Sequence, residues 1–416
     1  MEGAGEAVCD SLQLRSKAGL PVSATLPNPP TVGPDVRAVQ ASVSCEALEG
    51  GLEVLHALAP EWSRLCQEGC CNEPFYRPEW FAAYLRAFLA DKKVLFVTAR
   101  RNGQLCAVLP LLAGRANYYG VPARVLRVPA NDHSPRFDVI HRSDSELDEV
   151  LKAIWQCLRD RGGWDLIELR EVPQGGAAEW LLQAAQQEGY PTGQWESIPC
   201  PYIDLAGAAG SLDAILARTT GKFRANLRHR TRRLAARGPV KLVRVDRADP
   251  AVLERFYRLE AAGWKGREGS AIACNADVRA FYDGLAREAE QLGWLSLYAL
   301  ECGDATVAMH YGLTCGGRYF VLKLAYEESY RECAPGHLLL REVVGDCLKR
   351  GLAEFDFAGG WQDWKAEWTA LTKRLFWNYI FDKGVVGRMA HALKFRLVPL
   401  MRRRSASPAA PSGETE

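Results

Sequence analysis

Three side chains in the C-terminal half of the sequence could together carry acid–base chemistry. Glu260 lies near the end of a predicted helix, where its carboxylate could act as a general base. Lys323 interrupts the apolar strand pattern Tyr-Phe-Val-Leu-Lys-Leu-Ala, and Tyr326 follows closely. A carboxylate, an amine and a phenol hydroxyl are groups that can transfer protons or stabilise a developing negative charge. Each residue also has a purely structural interpretation. Glu260 could lie on the surface of its helix, Lys323 on the exposed face of its strand, and Tyr326 could be a packed aromatic ring.

The stretch that follows this strand is suited to anion binding. From Ala325 to Gly336 the sequence passes from the end of a strand through Pro335-Gly336 into a helix. Free N–H groups at the positive end of a helix bind phosphate groups. We therefore expect several free N–H groups and a pyrophosphate here; the alternative is an ordinary connection between strand and helix. The residues predicted to hold it are Ala334, Pro335, Gly336, His337 and Leu338.

Asp356 lies between two phenylalanines on a predicted core strand, so its side chain should point away from them, toward a cleft or solvent. Gly359 and Gly360 then allow close backbone approach. His310 and His133 are isolated in the sequence, and this spacing predicts no metal site.

The elements that would position these residues alternate regularly. The first half predicts a helix at 78–89, strands at 94–99 and 104–112 joined by Asn102-Gly103, a strand at 124–128, a helix at 147–161 and a strand at 164–169. The second half predicts helices at 250–263 and 276–292, strands at 294–301, 306–314 and 318–325, a helix at 337–350 and a strand at 354–357. Residues 157–169 and 347–359 align as a helix end, a glycine turn and a strand. This similarity indicates either a faint internal duplication or the ordinary sequence pattern of a helix followed by a strand.

Two basic amphipathic segments complete the pattern. Residues 218–238 hold eight Lys or Arg and no acidic residue, and a helix bridging the halves is expected within 211–238. Its charge could be a solvated face or could bind an anionic polysaccharide, a lipid-linked substrate or RNA. Residues 385–404 could dock on the core or rest weakly on an anionic membrane surface.

Composition bounds the class of protein. The 416 residues carry 52 Lys and Arg against 50 Asp and Glu, so the net charge of +2 gives no general reason to expect nucleic-acid binding. The 13 cysteines lack a disulfide or metal spacing and are expected to be reduced thiols. Together with the absence of a leader-like N-terminus or an apolar span, this predicts a cytoplasmic protein. Residues 1–40 and 405–416 are expected to be disordered.

The stretch 43–400 resembles the bacterial acetyltransferases associated with cellulose and exopolysaccharide synthesis (the CelD/BcsL type). These are a branch of the GNAT superfamily that is distantly related to Fem-type aminoacyl transferases. The matching blocks are Asn-Glu-Pro-Phe-Tyr-Arg-Pro-Glu-Trp (72–80), Val-Leu-Pro-Leu-Leu (108–112), Cys-Pro-Tyr-Ile-Asp-Leu (200–205), 221–230, 259–270, 326–336 and Phe-Asp-Phe-Ala-Gly-Gly (355–360) with Lys365.

The resemblance implies an α/β (α+β) protein of two tandem GNAT-like halves, each a mixed, mostly antiparallel sheet flanked by helices. The halves would be 41–205, structural or acceptor-binding, and 206–404, with acyl-CoA bound where parallel strands 318–325 and 354–357 diverge. The implied substrate-binding residues are Trp264, Lys265, Asp356, Gly359 and Lys365, beside catalytic Glu260, Lys323 and Tyr326.

The activity implied is transfer of an acyl group from acetyl-CoA or another acyl-CoA, a co-substrate and not a permanently bound cofactor, to an unknown amine or hydroxyl. The full Gln/Arg-x-x-Gly-x-Gly/Ala pyrophosphate loop is missing around Pro335. Two alternatives therefore stay open: a Fem-type transferase that uses aminoacyl-tRNA, and a non-catalytic scaffold in polysaccharide synthesis.

Overall fold

The computed structural model describes residues 42–69, 72–142 and 147–397. The segments 1–40 and 405–416, predicted to be disordered, lie outside the described residues. The strands, in chain order, are β1 (Val43–Gly50), β2 (Val94–Arg101), β3 (Gln104–Tyr118), β4 (Val121–Arg127), β5 (Ile140–His141), β6 (Leu166–Pro173), β7 (Thr192–Glu196), β8 (Cys200–Asp204), β9 (Val240–Val245), β10 (Leu297–Cys302), β11 (Ala305–Cys315), β12 (Arg318–Tyr326), β13 (Glu354–Asp356), β14 (Thr372–Lys373) and β15 (Leu375–Phe381).

The α-helices are α1 (Leu52–Glu68), α2 (Pro78–Phe88), α3 (Leu147–Arg161), α4 (Ala177–Gln187), α5 (Leu212–Ala217), α6 (Gly221–Ala235), α7 (Pro250–Ala262), α8 (Trp264–Arg267), α9 (Ala276–Gln291), α10 (Pro335–Lys349), α11 (Asp363–Ala366) and α12 (Val385–Ala392). Each element predicted from the sequence is present, with ends that move by a few residues. The helix α1 was not predicted, and it contains Pro60, a residue that opposes helix formation.

The strands of the described residues form two mixed sheets. The first has the order β1-β2-β3-β4-β6-β15-β7, with β5 paired to β3, and the second has the order β14-β8-β13-β12-β11-β10-β9. Each contains one parallel pair, β4 with β6 and β12 with β13, and its other pairs are antiparallel. The predicted mixed, mostly antiparallel sheets flanked by helices are therefore confirmed.

The order of a helix, a glycine turn and a strand that the sequence predicts twice occurs once beside each sheet. The helix α3 ends before Gly162 and Gly163, which have positive φ, and leads into β6 of the first parallel pair. The helix α10 ends before Gly351, also at positive φ, and leads into β13 of the second. Each segment thus builds the parallel pair of its own sheet.

Each sheet contains one strand from the other half of the chain. The strand β8 precedes residue 205 but pairs with β13 in the second sheet, and β15, near the C-terminal end, lies between β6 and β7 in the first. A division of the chain at residue 205 therefore follows the chain order and not the sheets. The described residues belong to a single compact unit.

Both sheets also share one apolar core. Helices α2 and α9 pack closely, since a Cβ placed on Gly284 would lie 3.8 Å from the Cβ of Ala83. Buried residues from both halves, including Trp80 and Phe281 with ring centroids 5.2 Å apart, belong to this core. Burial of such aromatic surface stabilises the contact between the halves.

The basic segment forms two helices, α5 and α6, whose first turns are capped by the side chains of Ser211 and Thr220. Its buried residues Phe223, Leu227 and Leu234 pack in the core of the second sheet, against the same cluster as α10. The apolar stripe of α6 thus packs in the core of the second sheet, and the role of this segment as a bridge between the halves stays a prediction.

The C-terminal basic segment docks on the first sheet as far as residue 397. The ring of Phe395 lies directly over Gly193, and the buried amine of Lys394 lies 4.2 Å from the ring centroids of both Trp195 and Tyr379. Among the described residues, no helix has the length and apolar character needed to cross a bilayer.

Candidate active site

A pocket of about 580 Å³ lies where β12 and β13 diverge. The two strands pair only from Arg318 opposite Glu354 to Phe320 opposite Asp356. After β13 the chain turns away, because Asp356 Oδ1 accepts the Ala358 N–H at 2.7 Å and Ala358 adopts a φ of 45°. Among the described residues, no strand pairs with the remainder of β12 on this side, so the peptide N–H groups that point there are available to a ligand.

A bulge shapes the same strand. Tyr311 of β11 lies opposite Lys323 and Gly312 lies opposite Val321, so Leu322 is an extra residue in β12. The bulge changes which side chains face each side of the sheet. Leu324 and Tyr326 pack with the cluster of α10, whereas Leu322 packs with the core beneath α7 and α9. The pocket is lined from both faces of the sheet.

Most residues that the sequence predicts for the site line this one pocket. They are Trp264, Lys265, Lys323, Tyr326, Ala334, Pro335, Gly336, His337, Gly359 and Lys365. Glu260, Leu338 and Asp356 do not line it. Leu338 is instead a buried core residue of α10 that packs in the cluster of the second sheet.

Glu260 and Lys265 form a buried ion pair at the edge of the pocket. Lys265 Nζ donates to Glu260 Oε1 at 2.8 Å and to the Leu324 carbonyl oxygen at 3.0 Å. The other carboxylate oxygen, Oε2, accepts the Ile272 N–H at 2.9 Å. Both oxygens of Glu260 are therefore occupied, and its side chain is excluded from solvent. This arrangement suits a residue that positions Lys265, whereas the sequence predicted a general base in contact with the substrate.

Lys323 enters the pocket from the face that carries α7 and α9. Its Nζ lies 5.7 Å from the centroid of the Tyr282 ring. Burial lowers the pKa of this lysine, and the carboxylates of Glu260 and Asp132 oppose the effect. A larger fraction of Lys323 is consequently neutral near pH 7 than for an exposed lysine.

The first turn of α10 closes the opposite side of the pocket. Ala334 adopts a left-handed conformation with φ of 45°, and Pro335 starts the helix. This turn has fewer free N–H groups than the sequence predicted. Pro335 has no N–H group, and the N–H groups of His337 and Leu338 both donate to the Ala334 carbonyl oxygen. Gly336 is thus left as the amide donor of this turn, beside the guanidinium of Arg331, which also lines the pocket.

His337 is held by two neighbours. Its Nδ1 accepts the Trp368 indole N–H at 3.0 Å, and Nε2 lies 3.4 Å from Glu367 Oε2. This arrangement requires the proton on Nε2 in the neutral ring. Burial lowers the pKa of His337 to about 4, so the ring is neutral at physiological pH.

Lys365 fastens the loop after β13. Its Nζ donates to the carbonyl oxygens of Gly359 at 3.1 Å and Gly360 at 2.8 Å, and it lies 5.7 Å from the ring centroids of Phe357 and Trp364. Burial lowers the pKa of Lys365 to about 8. The residue thus holds the wall of the pocket and still presents a cation to it at neutral pH.

His310 was missed as a site residue. It lines the pocket from β11, directly opposite Leu324, and is 2% exposed. Its Nδ1 has no hydrogen-bond partner among the described residues, and burial lowers the pKa of His310 to about 3. The signal available in the sequence was the alternation of β11, which places this ring on the same face as Leu324 once the two strands are paired.

Asp356 belongs to an ion cluster beneath the pocket. Arg136 Nη2 donates to Oδ1 at 2.6 Å and to Oδ2 at 2.5 Å, and Lys373 Nζ donates to Oδ2 at 2.7 Å. Burial alone would raise the pKa of Asp356, but the two cations outweigh it and hold the pKa well below its usual range. The carboxylate is fully buried, so the expectation that it faces the cleft is wrong.

The ion cluster continues to the first half. Arg136 Nη1 donates to Glu73 Oε2 at 2.6 Å, and Glu73 Oε1 accepts from Arg318 Nη1 at 2.7 Å. Glu73 and Arg136 come from the first half of the chain, whereas Arg318 and Asp356 begin and end the parallel pair of the second. Residues of the first half thus stabilise the base of the pocket through these ion pairs.

The described residues contain no group of three or more His, Cys, Asp or Glu arranged to bind a metal ion.

The segment that builds this pocket matches a known family. Residues 221–366, from the start of α6 to the end of α11, match the family model described as an acetyltransferase (GNAT) domain. The similarity to a GNAT-type acetyltransferase domain thus covers the part of the chain that lines the pocket. A comparison with curated proteins finds no match.

Solved structures resemble the whole described chain. FemX aligns with a TM-score of 0.55 and 12% identity over 84% of this chain and 99% of that chain. The C-terminal (DUF2156) domain of an Agrobacterium fabrum protein, described as a lysylphosphatidylglycerol synthetase, aligns with a TM-score of 0.50 and 11% identity over 83% and 96%. At such identities the likeness concerns the fold.

Proposed function

We propose that the protein transfers an acyl group from acyl-CoA to an amine or hydroxyl at the divergence of β12 and β13. The observation that carries the proposal is that residues from three separate sequence stretches, 264–265, 323–337 and 359–365, line one pocket. That volume is typical of a small-molecule site. The matched acetyltransferase domain spans all of these stretches.

In this proposal the donor lies along the α10 face of the sheet. The Gly336 N–H and the Arg331 guanidinium bind the pyrophosphate of the acyl-CoA, and the helix end adds a favourable field. The unpaired N–H groups of β12 beyond Phe320 stabilise the oxyanion that forms on the thioester carbonyl. The thioester carbon then stands next to Lys323 and Tyr326.

The reaction proceeds by direct transfer. The acceptor amine or hydroxyl attacks the thioester carbon and loses a proton to neutral Lys323, since Glu260 is already engaged by two donors. The C–S bond breaks, and Tyr326 protonates the departing thiolate. The proton on Lys323 returns through solvent to the tyrosinate. Lys265 and Trp264 bind the acceptor from the α8 side of the pocket.

The donor half of the proposal is tested by binding. Gly336→Asp places a carboxylate at the start of α10, where it favours the helix but repels a pyrophosphate. We expect calorimetry to show saturable binding of acetyl-CoA or a longer acyl-CoA by the full chain, and a loss of at least about tenfold in the variant. Gly345→Asp, on the same helix, is the control and should bind normally, with thermal melts to verify folding. Absence of binding for every chain length would contradict the proposal.

The acceptor is proposed from the sequence resemblance to exopolysaccharide-associated acetyltransferases. It would be a small-molecule, sugar or lipid-linked envelope precursor. Val385 and Met389 on α12 are 74% and 51% exposed beside basic residues, which supports weak contact with an anionic lipid surface. Co-sedimentation of the full chain and a Val385→Asp, Met389→Asp variant with anionic vesicles tests this contact; equal pelleting of both would contradict it.

A second candidate is a Fem-type transfer that uses aminoacyl-tRNA. The fold likeness to FemX and the basic helix α6 favour it. It requires tRNA binding that weakens steeply with salt. A filter-binding assay that detects no tRNA at low salt would remove this candidate, whereas acyl-CoA binding without turnover of any acceptor would favour the non-catalytic scaffold.

A further inference from the structure

A second cavity of about 610 Å³ lies between α5, α6 and α10. It shares no lining residue with the pocket at β12 and β13. The two cavities meet the same helix: His337 lines the pocket, and Arg341, one turn later, lines the second cavity, which we call the arginine groove. On α6, Phe223 packs against His337 with ring centroids 5.6 Å apart and separates the two.

The groove concentrates positive charge. Arg224, Arg228 and Arg232 follow one another at intervals of four residues on α6, and Arg341 faces them from α10. Like charges at this spacing repel one another on a helix surface. The only acidic residue that lines the groove within the described chain is Asp213.

The guanidiniums are only partly neutralised by the protein. Arg224 donates to the carbonyl oxygens of Leu216 and Thr219, and Arg341 pairs with its neighbour Glu342. Over the described ranges, Arg228 and Arg232 form no ion pair with any carboxylate. Elsewhere on this helix Arg233 pairs with Glu332.

We propose that the arginine groove binds a small phosphorylated ligand distinct from the acyl donor. Guanidinium groups bind phosphate oxygens through paired, charge-assisted hydrogen bonds, and several converging arginines favour more than one phosphate. The volume suits a small molecule and is too small for a folded partner. A phosphorylated sugar or a diphosphate-linked precursor has this chemistry.

The test uses inorganic pyrophosphate as the probe and the full chain as the protein. Calorimetry compares the unmodified chain with Arg228→Gln, Arg232→Gln, which keeps helix propensity but removes two charges from the groove. The matched control, Lys222→Gln, Arg247→Gln, removes two exposed charges that do not line it. We expect pyrophosphate affinity to fall about tenfold or more in the groove variant and to change less than about twofold in the control.

Repeating the titration with saturating acetyl-CoA fills the donor site and leaves the groove to be measured. Pyrophosphate binding that persists and is still weakened by the groove substitutions supports a distinct ligand, whereas loss of this groove-dependent binding assigns the groove to the donor and overturns the proposal. Equal losses in both variants, no pyrophosphate binding, or binding only of tRNA or anionic vesicles would also overturn it. Because pyrophosphate is measured directly, failure of acyl-CoA to bind would remove the proposed function and leave this test intact.

Discussion

Arg136, from the loop after β4, donates through one nitrogen to both carboxylate oxygens of Asp356, 220 positions later in the chain, at 2.6 and 2.5 Å. Both side chains are almost completely withdrawn from solvent, with exposures of 1% and 0%. The pair joins the first half to the point where β12 and β13 begin to diverge. Its geometry therefore fixes the floor of the candidate active site.

Loss of this pair should destabilise the whole protein. Asp356→Asn leaves Arg136 buried with an incomplete set of partners, and removal of one member of a buried pair costs about 3 to 5 kcal/mol. We expect the free energy of unfolding, measured by urea titration of tryptophan fluorescence, to fall by about 3 kcal/mol. Glu196→Gln, which breaks an exposed pair with Arg374, should change it by less than about 1 kcal/mol. Similar losses in both variants would refute a dominant role for the buried pair.

Glu260 and Lys265 should act as one unit. If Glu260 positions Lys265, Glu260→Gln and Lys265→Met each impair turnover, and the double variant is no worse than the more severe single variant. Steady-state kcat and KM for the acceptor, measured in a double-mutant cycle, test this coupling. If Glu260 were the base, its replacement alone would lower kcat by about a hundredfold or more, and the two effects would multiply.

The pH dependence of turnover should depend on Lys323. Neutral Lys323 accepts the proton, so kcat rises with pH as the amine loses its charge, over a range below the ordinary value of about 10.4 because burial lowers the pKa. Lys323→Met should abolish this rise and keep acyl-CoA affinity. Lys349→Met, on the exposed end of α10, provides the comparison. An unchanged pH profile in Lys323→Met would exclude the lysine as the base.

Buried histidines should make the protein sensitive to acid. Burial lowers the pKa of His310 to about 3 and those of His133 and His337 to about 4, whereas the unfolded chain titrates near 6.5. Between these values the unfolded state binds more protons, so stability present above about pH 6.5 is lost as the pH falls.

One of these histidines can be isolated by substitution. His310→Leu should remove about 2 kcal/mol of the decrease in the free energy of unfolding between about pH 7 and pH 5. His56→Leu, at an exposed position on α1, should leave the decrease as it is. Urea unfolding at several pH values measures both, and parallel curves for His310→Leu and the unmodified chain would disprove the contribution.

The local order of elements around the pocket was predictable because the signals are local. A run of apolar residues defines β12, Pro335 starts α10, and a glycine turn separates α10 from β13. Parallel pairing of two strands joined by one helix then brings Lys323, Tyr326 and Gly336 together. The family resemblance added Trp264, Lys265 and Lys365, whose spacing alone carries no signal.

The parts that could not be predicted depend on contacts between distant residues. The alternation of the strand correctly predicted that Asp356 points away from Phe355 and Phe357. It could not predict that Arg136, from the other half of the chain, pairs with Asp356 there. The arginine groove requires α5, α6 and α10 to be packed together before its charges converge. The strands β8 and β15 carry no local signal that specifies which sheet they join, because their partners lie far away in the chain.

The insertion of β15 between β6 and β7 has a consequence for synthesis. Gln194 donates to Asn378, 184 positions later, so the first sheet stays incomplete while most of the chain is made. During this time β6 and β7 expose edges on a ribosome-bound chain, and closing so long a loop slows folding. The N-terminal half therefore cannot mature before the C-terminal half emerges, and conditions that delay translation of the last strands will favour aggregation of the first.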